Sequence, residues 1–131
     1  MRDNSAQITA DPTSSDIHRI ETLPRLSRAV VHNGVVYLAG LLADNPEGSV
    51  EEQTQNILTK MEGFLAKAGS DKTRVLSATV WLRDVQDAPL MNTVWEAWVP
   101  PDCAPARSCV QSLPGRPGFS VEIALTAATR S

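Results

Sequence analysis

Ala106-Arg107-Ser108-Cys109-Val110 and Val121-Glu122-Ile123 lie within the stretch Cys103 to Leu125, separated by the Pro- and Gly-rich run Leu113 to Phe119. Both short runs read as strands with a turn between them. Each carries one charge among small and apolar neighbours, Arg107 in the first and Glu122 in the second. A charge in such a strand needs a partner, a ligand or a path to water. Read as adjacent strands, the two supply a pocket in which Arg107 holds an anion and Glu122 handles a proton or a water. The alternative is that they pair with each other or sit on a wet sheet face.

Upstream, Arg74 to Val85 is a long β run. Asp87 is placed to cap a helix from Ala88 to Val99, whose Leu90, Met91, Val94, Trp95 and Trp98 form a broad apolar face; Pro100-Pro101 ends it. A longer helix precedes this run. Ser49 and Glu52 form a capping box, Gly69 closes the helix, and Val50, Ile57, Leu58, Met61, Leu65 and Ala68 make one apolar stripe suited to a core. Gly63 inside it is expected to mark a close approach to the sheet. Leu26 to His32 and Val35 to Leu41 are strands joined by Asn33-Gly34, a type I′ hairpin signal. Val35 to Leu41 is apolar nearly throughout, which predicts cover on both faces. Asp16 to Thr22 reads as a first strand, and Met1 to Ser15 is polar and expected to be mobile. The predicted organisation is a flexible segment over residues 1–15 and a single domain over 16–131.

This order of elements predicts an α+β domain, a mixed β-sheet with two helices packed on one face and a parallel crossover. The uncovered face is expected to be apolar around Val36, Leu38 and Val80, which points to a closed oligomer.

A chain of 131 residues suits one core. Its net charge of −3 argues against nucleic acid as a partner. No apolar run is long enough to span a membrane, and the N-terminal stretch has neither secretory nor transit character. Two cysteines, Cys103 and Cys109, make no disulfide framework, so a cytoplasmic location is the default expectation. His18 and His32 fall in different strands, and no ligand set has metal spacing. Phosphate loops and Gly-x-Ser-x-Gly elbows are absent from the sequence.

From about Leu26 to Ala128 the chain resembles the RidA/YjgF family of small imine deaminases. The resemblance is carried by Ala39-Gly40, the long helix with Asn56, Ala78-Thr79-Val80-Trp81-Leu82-Arg83-Asp84, Met91-Asn92, Pro105-Ala106-Arg107-Ser108-Cys109-Val110 and Val121-Glu122-Ile123. Trp95-Glu96-Ala97-Trp98 is closer to a YoaB-like branch. The resemblance implies a chorismate-mutase-like fold assembled as a homotrimer, with ligand clefts between neighbouring subunits. It implies that Arg107 binds the substrate carboxylate, as a forked guanidinium can and a lysine cannot. Glu122 is implied to position water, and Gly40, Leu42, Asn92 and the backbone N–H of Cys109 to contact substrate; a thiol nucleophile is not implied. The expected reaction is hydrolysis of enamines or imines, 2-aminoacrylate-like or other 2-imino acids, to 2-oxo acids and ammonia, with no metal or organic cofactor. A non-catalytic trimer that binds a small carboxylate in a regulatory role is the alternative, and ribonuclease action is disfavoured by the charge. Leu26 and Ala39 replace a tyrosine and a serine of founding members, and Arg28 is a new charge nearby. The expected pocket is therefore more apolar than theirs.

Overall fold

The computed structural model describes residues 16–130. The predicted flexible segment 1–15 lies outside the described residues. Three antiparallel strands come first: β1 (His18–Thr22), β2 (Ser27–His32) and β3 (Val35–Leu41). The β2–β3 turn is the two-residue hairpin expected. Asn33 and Gly34 both have positive φ, 49° and 77°, as a type I′ turn demands.

Helix α1 (Val50–Lys67) follows. Ser49 Oγ accepts from Glu52 N–H, and a Glu52 carboxylate oxygen accepts from Ser49 N–H, which completes the capping box. The six residues of the predicted stripe are all buried, and Gly69 has a φ of 77° beyond the C-terminus. Gly63 corrects its expectation. It faces solvent, and a Cβ added there would meet no atom within 4 Å.

Strand β4 (Val75–Leu82), helix α2 (Ala88–Trp98), β5 (Ala106–Gln111) and β6 (Val121–Ala128) complete the fold. Asp87 precedes α2 but makes no side-chain cap, because its backbone is already helical, φ −81° and ψ −1°. A capping side chain needs extended backbone at that position. Asp84 has it and caps the short 3₁₀ turn Val85–Asp87 by accepting from Gln86 N–H.

The sheet order is β1-β2-β3-β6-β4-β5. Strand β6 lies between β3 and β4 and runs antiparallel to both; β5 pairs parallel with β4 and forms an edge. The expectation that the strands of Arg107 and Glu122 are adjacent is therefore corrected. The inner side of β4 is occupied by β6, so the crossover through α2 delivers β5 to the outer side.

Both helices pack on one face. Its core joins Val36, Leu38, Val80, Leu82, Ile123 and Leu125 to Ile57, Leu58 and Met61 of α1. Val36, Leu38 and Val80 thus lie under the helices, not on the open face as expected. Although β3 is apolar in composition, it still alternates: Val36 and Leu38 are buried, whereas Tyr37 is 47% exposed. The open face carries Tyr37, Ser77, Thr79, Ala124 and Thr126, with the Ser77 and Thr126 hydroxyls hydrogen-bonded at 2.7 Å. Such a small, hydroxyl-bearing antiparallel surface tolerates water. Among the described residues, no helix is long and apolar enough to cross a membrane.

Candidate functional site

Arg107 sits on edge strand β5, in register with Ala78 and, across β4, with Leu125. That row faces the helices, so its guanidinium reaches α2. Arg107 Nη1 donates to Asn92 Oδ1 at 2.9 Å and lies 3.8 Å from Met91 Sδ. The guanidinium carbon is 5.3 Å from the centroid of Trp95, a cation–π distance. Met91 and Asn92 lie four and three residues before Trp95, the spacings at which side chains are neighbours on a helix surface, so all three come within reach of one guanidinium. Trp95 is itself set by Trp98, 5.7 Å away between centroids, whose Nε1 donates to Glu62 at 2.9 Å. No carboxylate among the described residues is in ion-pair contact with Arg107. It lines a groove of about 430 Å³ with Asn92, Trp95 and the segment after α2.

Glu122 sits on β6 in register with Trp81. Rows Ala78 and Trp81 are three residues apart on β4, so Arg107 and Glu122 point to opposite faces of the sheet. Two strand spacings across and three residues along put their backbones about 14 Å apart. Within one chain they form neither a shared pocket nor an ion pair, which corrects the shared-pocket and mutual-pairing readings, while Glu122 does lie on the open sheet face. Glu122 Oε1 accepts from Gly115 N–H at 3.1 Å. Its Oε2 lies across Gly40, where any Cβ would collide with it. The register of β3 on β6 shifts between Leu38 and Leu41, at the same place.

The other expected contacts divide between these two centres. Asn92 touches Arg107, and Cys109, two residues along β5 on the same face, is half-buried against the core. Gly40 belongs with Glu122. Leu42 follows β3, and its carbonyl accepts from Lys60 Nζ at 2.7 Å. Lys60 also reaches Asp44 Oδ1 at 3.0 Å, Asp44 N–H donates to Asn56 Oδ1 at 2.7 Å, and Asn56 Nδ2 donates to Asp44 Oδ2 at 3.3 Å. The hydrogen bond from Lys60 first, then that from Asn56 and the Lys60 charge, hold the Asp44 carboxyl below its ordinary range. This network ties the loop after Gly40 to α1.

Sequence reasoning missed Trp95, Gly115 and Lys60. Trp95 was read as core, which it also is; its spacing of four from Met91 was the available signal for its place beside Arg107. Cys103 and Cys109 are free thiols. Among the described residues no three His, Cys, Asp or Glu side chains cluster as metal ligands.

The family model described as Endoribonuclease L-PSP matches residues 16–129. The chain is 39% identical over 112 residues to the RutC family protein YoaB of Escherichia coli (strain K12), covering 86% of this chain and 97% of the other. It is 30% identical over 117 residues to Reactive Intermediate Deaminase A, chloroplastic, of Arabidopsis thaliana, covering 82% and 62%. Among solved structures, NMB1025, a YjgF family member from Neisseria meningitidis, superposes with a TM-score of 0.87 at 43% identity, covering 89% of this chain and 98% of that one.

Proposed function

The chain belongs to the RidA/YjgF family, and on that premise we propose that it hydrolyses reactive enamines and imines of small 2-amino acids to 2-oxo acids and ammonia. The observation that carries this reading is Arg107: a half-buried guanidinium, steadied by Asn92 and Trp95, without a carboxylate partner among the described residues and beside an open groove. Such a fork suits a substrate carboxylate. The name of the 30%-identical plant relative, a reactive intermediate deaminase, agrees with it. The family description names an endoribonuclease, but a net charge of −3 supplies no field to gather a polyanion.

Arg107 and Glu122 face opposite sides of one sheet, so a site that uses both is built from two copies. Glu122 and Gly40 on the open face of one copy would meet the β5 edge of the next, in a closed ring of three. There Arg107 fixes the carboxylate, and the iminium carbon stands before a water held by Glu122. The water oxygen bonds to that carbon while Glu122 takes one of its protons and passes it to the nitrogen; as the carbon–nitrogen bond breaks, the remaining hydroxyl proton leaves the oxygen through Glu122 and ends on the departing ammonia. The products are a 2-oxo acid and ammonium. An enamine first takes a proton on its β-carbon. Holding and proton transfer are sufficient chemistry, because the iminium carbon is already electrophilic.

The test is release of 2-oxo acid from imines generated in situ by an amino-acid oxidase. Acceleration over the oxidase alone is expected, and Glu122→Gln should abolish it while the protein stays folded. No acceleration with any imine would overturn the proposal.

A further inference from the structure

We infer that the groove beside Arg107 selects 2-imino acids whose side chain ends in a cation. This deepens the proposed deaminase reading and rests on it. The first ground is size. The groove holds about 430 Å³, within the usual span of small-molecule sites of about 300–1,000 Å³. A three-carbon imino acid has six heavy atoms; at about 30 Å³ per water-sized group it fills less than half of that space. The groove extends well beyond the reacting carbons.

The second ground is charge. Arg107, Glu96 and Asp102 line the same groove. None of the three is in an ion pair among the described residues. Glu96 follows Trp95 on α2. Asp102 follows Pro100-Pro101 in a turn closed by Cys103 N–H donating to Pro100 O at 3.1 Å, which restricts where its carboxylate can go. The same groove is walled by the apolar side chains of Trp95, Val99 and Pro105. A ligand with its carboxylate on Arg107 lays its stem on that wall and presents its far end to Glu96 and Asp102. A cation there is attracted by both, and a second carboxylate is repelled by both. At about 6 Å in a water-like dielectric each carboxylate changes binding about threefold, so the pair gives about tenfold in each direction.

The experiment measures kcat/KM for imines made in situ from basic, apolar and acidic amino acids. The expected order is basic, then apolar, then acidic, with about tenfold at each step and about a hundredfold between the ends. The Glu96→Gln, Asp102→Asn double variant should bring the three within about threefold of one another. Half-molar salt should compress the wild-type series in the same way. Acidic imines turned over as fast as basic ones, or a preference that survives in the double variant, would overturn the inference. If no imine is hydrolysed, the deaminase proposal fails, and binding of the corresponding 2-oxo acids, followed by tryptophan fluorescence, decides the groove by itself. The same order of Kd sustains the selectivity; equal Kd values or no binding overturn it.

Discussion

Arg107→Ala and Glu122→Gln, each impaired alone, should restore activity when their copies are mixed. The reason is geometric. The two residues lie on strands separated by β4, in rows three residues apart, on opposite faces. A backbone separation of about 14 Å through a sheet cannot be closed by side-chain rotation onto one substrate, which requires contacts of about 3 Å. If one copy supplies Arg107 and the next supplies Glu122, a cleft is intact only when its first neighbour is Glu122→Gln and its second is Arg107→Ala. In a random equal mixture that holds for about a quarter of clefts in a closed ring. Glu122→Gln alone should lower kcat by about 10²–10⁴, the usual worth of a positioned acid–base group. Arg107→Ala should lower kcat/KM for carboxylate substrates by about 10- to 150-fold, from the loss of hydrogen bonds to a charged group worth about 1.5–3 kcal/mol. Mixed by co-expression and assayed on imines generated in situ, the pair should regain about a quarter of wild-type turnover. The double variant mixed with itself should stay silent. Recovery no greater than the sum of the single variants, with mixed oligomers demonstrated by mass, would refute a cleft built from both residues.

Gly40→Ala should leave the fold intact and remove turnover, because the colliding atom is the free end of Glu122 and can swing away; a thermal midpoint near wild type with an inactive enzyme is the expected pair of results. Leu58→Ala, at a position with no exposure, should cost about 2–5 kcal/mol in urea unfolding. Ser49→Ala removes one arm of the capping box and should cost about 1 kcal/mol by the same measurement. The Asp44 carboxyl titrates below its ordinary value of 3.8 in the folded protein. Its stabilising contribution is thus complete above that value and is lost as pH falls through the folded one. The difference in thermal midpoint between wild type and Lys60→Met should therefore be present at pH 6 and shrink below pH 4.

Local signals in the chain were strong wherever they depended on a few neighbouring residues. Asn33-Gly34 fixed a hairpin because two consecutive positive φ angles admit few alternatives. Ser49 and Glu52 fixed a helix start by reciprocal hydrogen bonds. The stripe from Val50 to Ala68 identified the face of α1 that is buried. Strand neighbours were harder. Consecutive strands pair in most cases, so β5 and β6 were read as partners, but β6 runs its eight residues between β3 and β4. Only Val121 to Ile123 was read as strand. The alternation of buried Val121, Ile123, Leu125 and Ala127 with less buried residues shows why the whole segment is central.

The residue types of the candidate site were readable, but their sides were not, and the cause is register. Alternation within a strand says which residues share its two faces, yet it cannot say which face of one strand matches which face of another. That match depends on pairing partners and on irregularities. One irregularity lies between Val75 and Ser77 where β4 meets β6, and another between Leu38 and Leu41 where β3 does. Each one-residue shift exchanges inside for outside beyond it. The sequence singled out Arg107 and Glu122 as charges set among small and apolar residues, but their strands are not neighbours and the two side chains face opposite sides of the sheet. Their separation is more informative than a shared pocket would have been. On the proposed reading, a monomer that carries Arg107 on the helix side and Glu122 on the open side holds only two half-sites, and dilution below the point where copies part should silence turnover before any helix or strand unfolds.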